Sequence, residues 1–193
     1  MVNKYEYQID LIELIASNST CSRVHVGCCI MKDNRIISTG WNGVTKGSRH
    51  CVDIFNEMFP DEEKWGALEK ERYLLEHGKF SKQFEIHAEQ NAIAFAARNG
   101  LSIDGCDLFV SISPCQDCAK LIVASGIKRV YYIKEYDRDL KHESITFLNA
   151  NSVETIIIEK QKQFAHDYQH GEIKITNSMF YRKLKMGSKK NDK

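Results

Sequence analysis

Two short segments rich in metal-binding side chains limit most strongly what this chain can fold into and do. Each of them stands where a helix is predicted to begin. One is HAE at residues 87–89, which opens the Ala-rich run HAEQNAIAFAARN that Gly100 is expected to end. The other is PCQDC at residues 114–118, between a predicted strand and a predicted helix. A Cys-x-x-Cys pair at a helix start lies near free backbone N–H groups, which favour the charged thiolates that bind metals. Together the two segments predict a metal site.

The number of ligands indicates which kind of metal site this is. His87, Cys115 and Cys118 make three ligands, whereas a structural zinc usually has four. Three ligands leave the fourth tetrahedral position open for water, whose pKa zinc lowers towards ~7. Glu89 lies two residues beyond His87, so it can carry protons without being a ligand. We therefore predict a catalytic zinc with Glu89 as its acid and base. A redox pair or packed core thiols remain the alternative for the two cysteines.

Composition and charge narrow the class of protein. The 193 residues include 27 Lys and Arg against 26 Asp and Glu, a balance that disfavours binding to nucleic acid or to an anionic membrane. No apolar run approaches the ~20 residues of a membrane span, and residues 1–10 lack the pattern of a signal peptide. We therefore expect a cytoplasmic protein whose seven cysteines are reduced thiols.

The order of the predicted elements gives the fold class. An opening helix is expected at about residues 4–17, followed by a hairpin whose strands, 24–31 and 35–39, flank an Asp-Asn turn. The other expected elements are a Gly-rich loop at 40–47, helices at 61–77, 87–99, 115–125 and near 139–149, and strands at 106–112, 129–133 and 153–158. Strands that alternate with helices predict an α/β sandwich with a partly parallel sheet. We expect a single domain over residues 1–180 and a basic, disordered tail at 181–193.

The two metal-binding segments match, in order and in spacing, the His-x-Glu and Pro-Cys-x-x-Cys signature of the zinc deaminases. The stretches RIISTGWNG (35–43), IHAEQNAIAFAARNG (86–100) and SPCQDCAKLIVASGIKRVYY (113–132) resemble the cytidine deaminase superfamily. Within it they are most similar to the dCMP (deoxycytidylate) deaminases of T-even-type phages, over roughly residues 5–160. The resemblance implies a three-layer α/β/α sandwich with a mixed five-stranded sheet. It also implies hydrolytic deamination of dCMP to dUMP and ammonia, which supplies dUMP for thymidylate synthesis, in the host cytoplasm if the protein is phage-encoded.

The resemblance also assigns site residues. It implies that His87, Cys115 and Cys118 hold the catalytic zinc and that Glu89 moves the protons. The substrate-binding residues that it implies are Asn42, Ala88, Ser113 and Tyr136. It implies a second, structural zinc with the ligands Cys21, Cys51, His77 and Glu85, for which His50 is an alternative ligand. Without that metal, these positions would be two buried thiols, an exposed His and a surface Glu.

Regulation is the last property that the resemblance implies: activation by dCTP with Mg²⁺, inhibition by dTTP, and a homohexamer. The implied allosteric residues are Gly43, Phe95 and Arg98. Backbone N–H groups of the Gly-rich loop are suited to hold phosphates, although a plain loop and an exposed Arg at a helix end are the alternatives. Trp41 and Thr45 stand where the family usually has Tyr and Pro, so the identity of the effector stays open.

Two rival functions stay open at this point. The same chemistry can act on another base, such as C5-modified dCMP, cytidine, guanine or adenosine in tRNA, although a tRNA enzyme needs a basic face. A non-catalytic, zinc-stabilised binding module is the other rival, and it would have no use for Glu89. For the 5′-phosphate, Lys64, Lys70 and Arg72 have suitable charge, but cations on a helix surface are the preferred interpretation.

Overall fold

A mixed five-stranded sheet organises the described part of this computed structural model, residues 4–136 and 142–159. In chain order the elements are α1 (Glu6–Ala16), β1 (Gly27–Lys32), β2 (Arg35–Trp41), β3 (Gly43–Val44), α2 (Cys51–Met58), a 3-10 turn (Glu62–Lys64), α3 (Ala67–Phe84), β4 (Glu85–Ile86), α4 (Ala88–Arg98), β5 (Asp107–Ile112), α5 (Gln116–Ala124), β6 (Arg129–Lys134), α6 (Glu143–Ala150) and β7 (Glu154–Ile157). The strand order is β2-β1-β5-β6-β7, and the short β3 and β4 pair separately. Strand β1 is antiparallel to both neighbours, whereas β5, β6 and β7 are parallel.

Alternate residues of the sheet enter two different cores, because successive side chains of a strand point to opposite faces. Cys28 and Ile30 of β1 pack with α4, α5 and α6 on one face. Cys29 and Met31 of the same strand pack with α1 on the other face. The chain therefore forms three layers, and the α/β/α sandwich with a mixed five-stranded sheet is confirmed.

The predicted hairpin is confirmed with its turn. Asp33 and Asn34 have φ values of 50° and 59°, the left-handed conformation that Asn and Asp tolerate in two-residue hairpin turns. The parallel pairing of β5 with β6 then sets Ile112 beside Lys134, so both strands end at the same edge of the sheet. The PCQDC segment follows β5 directly, and the metal-binding residues therefore lie at that edge.

Residues 51–84 differ most from the sequence-based expectation. The helix predicted at 61–77 is wrong in its bounds, because Asp61 has a left-handed φ of 57° and a 3-10 turn precedes α3. Helix α3 continues to Phe84, since its aromatic side chains join a third core of their own. Helix α2 was not predicted. Cys51 and Phe55 of this helix and Phe59 directly after it are buried and recur every four residues, a helical spacing that could have revealed the helix.

The loop predicted at 40–47 is wrong over its first half. Gly40 belongs to β2, and Gly43 in β3 pairs with Ile86 in β4, so the backbone there is extended and hydrogen-bonded. The strand predicted from Val24 begins only at Gly27. The other boundaries agree within a few residues, and the predicted helix start near 139 lies outside the described residues.

Two expectations about the ends of the chain lie outside the described residues. These are the domain boundary at 180 and the disordered tail at 181–193. Within the described residues, none of the helices combines the length and the apolar character that crossing a membrane requires.

Candidate active site

Helices α4 and α5 begin side by side at the cluster that the sequence predicts. His87 caps α4 with an extended ψ of 158°, and its N–H donates to Gln90 Oε1 at 2.9 Å. Cys115 caps α5 in the same extended conformation, with ψ 170°. At the first turn of a helix the backbone N–H groups lack partners within the helix, so they stabilise negative charge there. The local sequence therefore places the candidate ligands where thiolates are favoured.

The three predicted ligands of the catalytic zinc come together. The Sγ atoms of Cys115 and Cys118 each lie 3.4 Å from His87 Nδ1. One ligand atom from each of the three residues lies within 4.8 Å of the others, as around a single ion. Two thiolates and one imidazole suit zinc, and a set of three leaves one tetrahedral position open.

The candidate ligands hydrogen-bond to one another, and these contacts shift the pKa values of the two thiols in opposite directions. The hydrogen bond from Cys118, and then that from His87, lower the pKa of Cys115 to about 4. The same contact with Cys115, followed by burial, raises the pKa of Cys118 well above its ordinary value. The Cys115 thiolate also raises the pKa of His87 to about 9. A divalent cation would replace these protons, because both thiols bind metals as thiolates.

Glu89 lies next to this cluster with its carboxyl group shielded from water. The residue is 4% exposed, in the first turn of α4. Burial raises the pKa of Glu89 to about 7, against the lowering effects of its own backbone N–H and of His87. A carboxyl group that titrates near neutral pH can both accept and donate a proton at the working pH. The geometry thus fits a proton carrier beside a metal.

The cluster opens into a cavity of about 630 Å³. This volume lies within the range of small-molecule sites. The residues predicted for substrate binding, Asn42, Ala88, Ser113 and Tyr136, all line it together with His87, Glu89 and Cys115. A small substrate in this cavity would therefore contact the catalytic cluster directly.

Two of these lining residues also hold the cavity walls in place. Asn42 Oδ1 accepts from Val26 N at 2.8 Å, and Asn42 Nδ2 donates to Val24 O at 2.9 Å. Ser113 Oγ accepts from Tyr136 N, also at 2.8 Å. Both side chains retain hydrogen-bonding capacity towards the cavity, since an amide and a hydroxyl can each make further bonds.

A second cluster is formed by Cys21, Cys51, His77 and Glu85, the four residues predicted for the structural zinc. One ligand atom from each lies within 4.8 Å of the others. His77 Nε2 is 3.2 Å from Cys21 Sγ and 3.5 Å from Cys51 Sγ. The alternative without a metal predicted an exposed His77. His77 is instead buried, with only 4% of its surface exposed. His50 is exposed and lies outside this cluster.

The chemistry of the second cluster suits a cation. The hydrogen bond from Cys21 lowers the pKa of Cys51, while the reciprocal bond and burial raise that of Cys21. Glu85 Oε1 is buried without a hydrogen-bond partner among the described residues. A buried carboxylate oxygen without a partner is costly, and a metal ion would give it one. The set of two thiols, an imidazole and a carboxylate fits a closed tetrahedral zinc site.

Comparison with known proteins agrees with this geometry. Residues 2–134 match the family model of the cytidine and deoxycytidylate deaminase zinc-binding region. This chain belongs to the cytidine and deoxycytidylate deaminase family. The deoxycytidylate deaminase of Enterobacteria phage T4 is 37% identical over 150 residues, which cover 68% of this chain and 78% of that one. The deoxycytidylate deaminase of Mycobacterium phage D29 is 33% identical and covers 67% of this chain and 94% of that one.

A solved structure of the same family is similar over most of the chain. The dCMP deaminase of cyanophage S-TIM5, in complex with dCMP and dUMP, superposes with a TM-score of 0.59 and 32% identity. The match covers 80% of this chain and 95% of that one. The cytidine deaminase-like fold implied by the sequence is therefore confirmed, and zinc is the metal of the family.

The residues predicted for regulation lie away from the catalytic cavity. Gly43 pairs in the β3–β4 ribbon, and Phe95 and Arg98 are exposed on α4. Arg98 is eleven residues from His87 along α4, about 16 Å at the rise of a helix. None of the three lines the cavity, so a role for them in this deaminase would have to act through α4 or β4.

Two cations that line the cavity were missed by the sequence analysis. They are Arg23, in the segment between α1 and β1, and Lys134, at the end of β6. The cations considered instead, Lys64, Lys70 and Arg72, do not line it. No sequence signal marks Arg23 or Lys134, because the cavity is built from segments far apart in the chain.

Proposed function

We propose that this chain is a zinc-dependent dCMP deaminase, which hydrolyses dCMP to dUMP and ammonia. The observation that carries the proposal is the buried Glu89 beside the Cys115, Cys118 and His87 cluster, at the floor of an open cavity. The deaminases of phages T4 and D29 bear that activity in their names, and the similar cyanophage enzyme holds dCMP and dUMP. dUMP is the precursor that thymidylate synthesis consumes, and the cytoplasm is where that reaction would occur.

The residues of the cavity have distinct parts in this reaction. Zinc, when bound by His87, Cys115 and Cys118, supplies a Lewis acid that makes water a nucleophile at neutral pH. Glu89 accepts a proton from the attacking water and delivers protons to the ring nitrogen and to the leaving amine. Asn42 and Ser113 hold the walls that orient the nucleotide. Ala88 and Tyr136 complete the surface against which the base and sugar lie.

The test of this activity is release of ammonia from dCMP, deoxycytidine, CMP and dCTP. We expect turnover of dCMP well above the others. Guanine, C5-methyl-dCMP and a tRNA anticodon stem serve as the rival substrates. Protein that contains zinc but turns over none of the cytosine compounds would contradict the proposal and keep only the fold.

We further propose that the second cluster holds a structural zinc. The support is that Glu85 Oε1 is buried without a hydrogen-bond partner among the described residues, and that the thiols of Cys21 and Cys51 are hydrogen-bonded to each other. We expect two zinc ions per chain in the purified protein, and one in the double variant Cys21→Ser/Cys51→Ser. Metal analysis by mass spectrometry checks this.

The control for the metal count is Cys106→Ser, which alters a buried thiol outside both clusters. It should keep two zinc ions. One zinc per chain, unchanged in the double variant, would contradict the second site.

We also propose that dCTP with Mg²⁺ activates the enzyme, that dTTP inhibits it and that it is a homohexamer. The support is the position of Phe95, which is 52% exposed, and of Arg98 on the same helix as Glu89. An effector or a neighbouring subunit on that face could move α4 and, with it, the catalytic carboxylate. Rates of dCMP turnover with and without each effector, and the mass in solution, test this. Equal rates at all dCMP concentrations would contradict regulation.

A further inference from the structure

We propose that strand β4 couples the two metal-binding clusters, with Glu85 as a positioning residue for His87. The inference rests on the proposed function, since it concerns the two proposed zinc sites. Glu85 belongs to the second cluster and His87 to the catalytic cluster, and only Ile86 stands between them. Zinc in one cluster would therefore strengthen the binding of zinc in the other.

Glu85 and His87 lie on one extended stretch of backbone. Strand β4 consists of Glu85–Ile86, and His87 keeps an extended conformation, with φ −71° and ψ 158°, before α4 begins at Ala88. Side chains two residues apart in an extended chain point to the same side, about 7 Å from each other. Both residues accordingly line the same cavity. A shift of Glu85 would be passed directly to His87.

The two clusters share the wall of this cavity. Cys21, His77 and Glu85 of the second cluster line it. His87 and Cys115 of the catalytic cluster line it as well. The second cluster is therefore next to the catalytic centre and is not confined to a remote part of the fold.

A zinc ion that only stabilised the third core would not need this arrangement. Cys21 and Cys51 pack in that core with Phe55 and Phe59, so a metal bound there would hold α2 and α3 together. Glu85 lies beyond the end of α3, on the strand that leads to the catalytic cluster. Its position makes the second cluster an anchor for β4 as well as for the third core.

Strand β4 is a short strand outside the main sheet. It pairs with the equally short β3, Gly43 with Ile86 and Val44 with Glu85. A two-stranded ribbon is only marginally stable by itself. Glu85 Oε1 is buried and has no hydrogen-bond partner in the part of the chain that the structure describes. A bond from this oxygen to a metal ion would therefore fix the position of the strand.

The other side of His87 is already fixed by α4. His87 N donates to Gln90 Oε1 at 2.9 Å. The ring holds Nδ1 3.4 Å from the Sγ atoms of both Cys115 and Cys118. The backbone freedom that remains at His87 is on the side of β4. A fixed Glu85 removes that freedom before the catalytic zinc binds, which lowers the entropic cost of binding.

The expected size of the coupling follows from how metal ligands are oriented. Groups that hold a metal ligand in place without binding that metal contribute about 10- to 100-fold to its affinity. Coupling between two binding sites is reciprocal, so each zinc ion should raise the affinity for the other by the same factor. The overall affinity of the parent for two zinc ions should therefore exceed the product of the two separate affinities by about 10- to 100-fold.

Zinc titrations against a competing chelator measure this factor. Cys115→Ser lacks a ligand of the catalytic cluster, so it gives the affinity of the second cluster alone. Glu85→Gln lacks a ligand of the second cluster, so it gives the affinity of the catalytic cluster alone. The double variant Cys21→Ser/Cys51→Ser empties the second cluster without altering β4. It should show the same catalytic-cluster affinity as Glu85→Gln.

Glu85→His tests whether ligation or the negative charge of Glu85 is responsible. An imidazole in place of the carboxylate would complete a set of two Cys and two His, which binds structural zinc. We expect this variant to bind two zinc ions and to keep the parent affinity of the catalytic cluster. At a low, buffered zinc concentration, kcat for dCMP should fall in Glu85→Gln with little change in KM, because fewer molecules hold the catalytic zinc. It should recover in Glu85→His.

Arg129→Gln is the matched control for a general loss of stability. It removes the hydrogen bonds, at 2.6 and 2.7 Å, from Arg129 to Asp107. These residues lie where β5 and β6 begin, at the other end of the two strands from the PCQDC segment. We expect this variant to unfold at lower urea concentration than the parent and to keep both zinc affinities.

An overall affinity equal to the product of the two separate affinities would overturn the coupling, even if both zinc sites and the deamination of dCMP are confirmed. The coupling also fails if Arg129→Gln weakens the catalytic zinc as much as Glu85→Gln does, or if the parent holds only one zinc ion. Deaminase activity does not enter these titrations. A protein that binds two zinc ions cooperatively but does not deaminate dCMP would contradict the proposed function alone.

Discussion

Replacement of Glu89 by Gln is expected to lower kcat for dCMP by about 100- to 10,000-fold while the protein keeps its zinc. The amide has the size of the carboxyl group but cannot exchange a proton with the attacking water or the leaving amine. Glu89 is not among the three clustered ligand residues, so the metal count should stay at the parent value. Steady-state kinetics and metal analysis of the same preparation check both parts.

The same substitution is expected to raise the stability of the metal-free protein at pH 8, although it lowers kcat. The pKa of Glu89 is raised from 4.5 to about 7 by burial, so the folded protein holds a proton that the unfolded chain loses above pH 4.5. As pH rises from there to about 7, the contribution of Glu89 to the stability of the metal-free protein falls by up to about 3 kcal/mol. The amide of the Glu89→Gln variant does not ionise. In chelator-treated protein, Glu89→Gln should therefore unfold at higher urea concentration than the parent at pH 8, and at a similar one near pH 4.5.

Glu71→Gln is the chemical control, because Glu71 is exposed on α3. It should leave both kcat and the pH dependence of unfolding unchanged. A Glu89→Gln protein that keeps zinc and deaminates dCMP at the parent rate would contradict the assigned role.

The sequence was sufficient to predict that the candidate ligands cluster, because they belong to two short segments. His87 and Glu89 share one helix start, and Cys115 and Cys118 share another, so local spacing already places each pair. The turn at Asp33 was predictable for the same reason, since only a few neighbouring residues decide it. The order of strands and helices then gave the class of fold.

The cavity walls could not be predicted in the same way, because they depend on packing between distant segments. Arg23 and Lys134 are far apart in sequence and meet one cavity only after the sheet forms. The second cluster could not be predicted from local spacing either, because its candidate ligands come from four separate elements or loops. Asn42 was expected to contact substrate, and the structure adds that it fixes the segment beside Arg23.

Gly40→Ala is expected to damage both the fold and the active site, because α4 lies directly on β2 at this residue. A Cβ there would overlap Ala88 O and lie 2.5 Å from Ala92 N. Ser38 Oγ and Asn91 Nδ2 bond the same two elements together, at 2.6 and 2.7 Å, so α4 cannot shift freely. We expect the free energy of unfolding to fall by about 1–3 kcal/mol. Zinc affinity and kcat for dCMP should fall as well, since His87 caps α4 and Glu89 lies in its first turn.

Gly27→Ala is the matched control, because it creates the same overlap on the opposite face of the sheet. Its Cβ would overlap Ile12 O and lie 2.6 Å from Ala16 N, so it displaces α1 and not α4. Urea unfolding should show a similar loss of stability for both variants. At a temperature where both are fully folded, only Gly40→Ala should lose zinc to a weak chelator and turn over dCMP slowly. Equal losses of activity would mean that the sheet transmits strain from either face, and that the position of α4 alone does not control the catalytic centre.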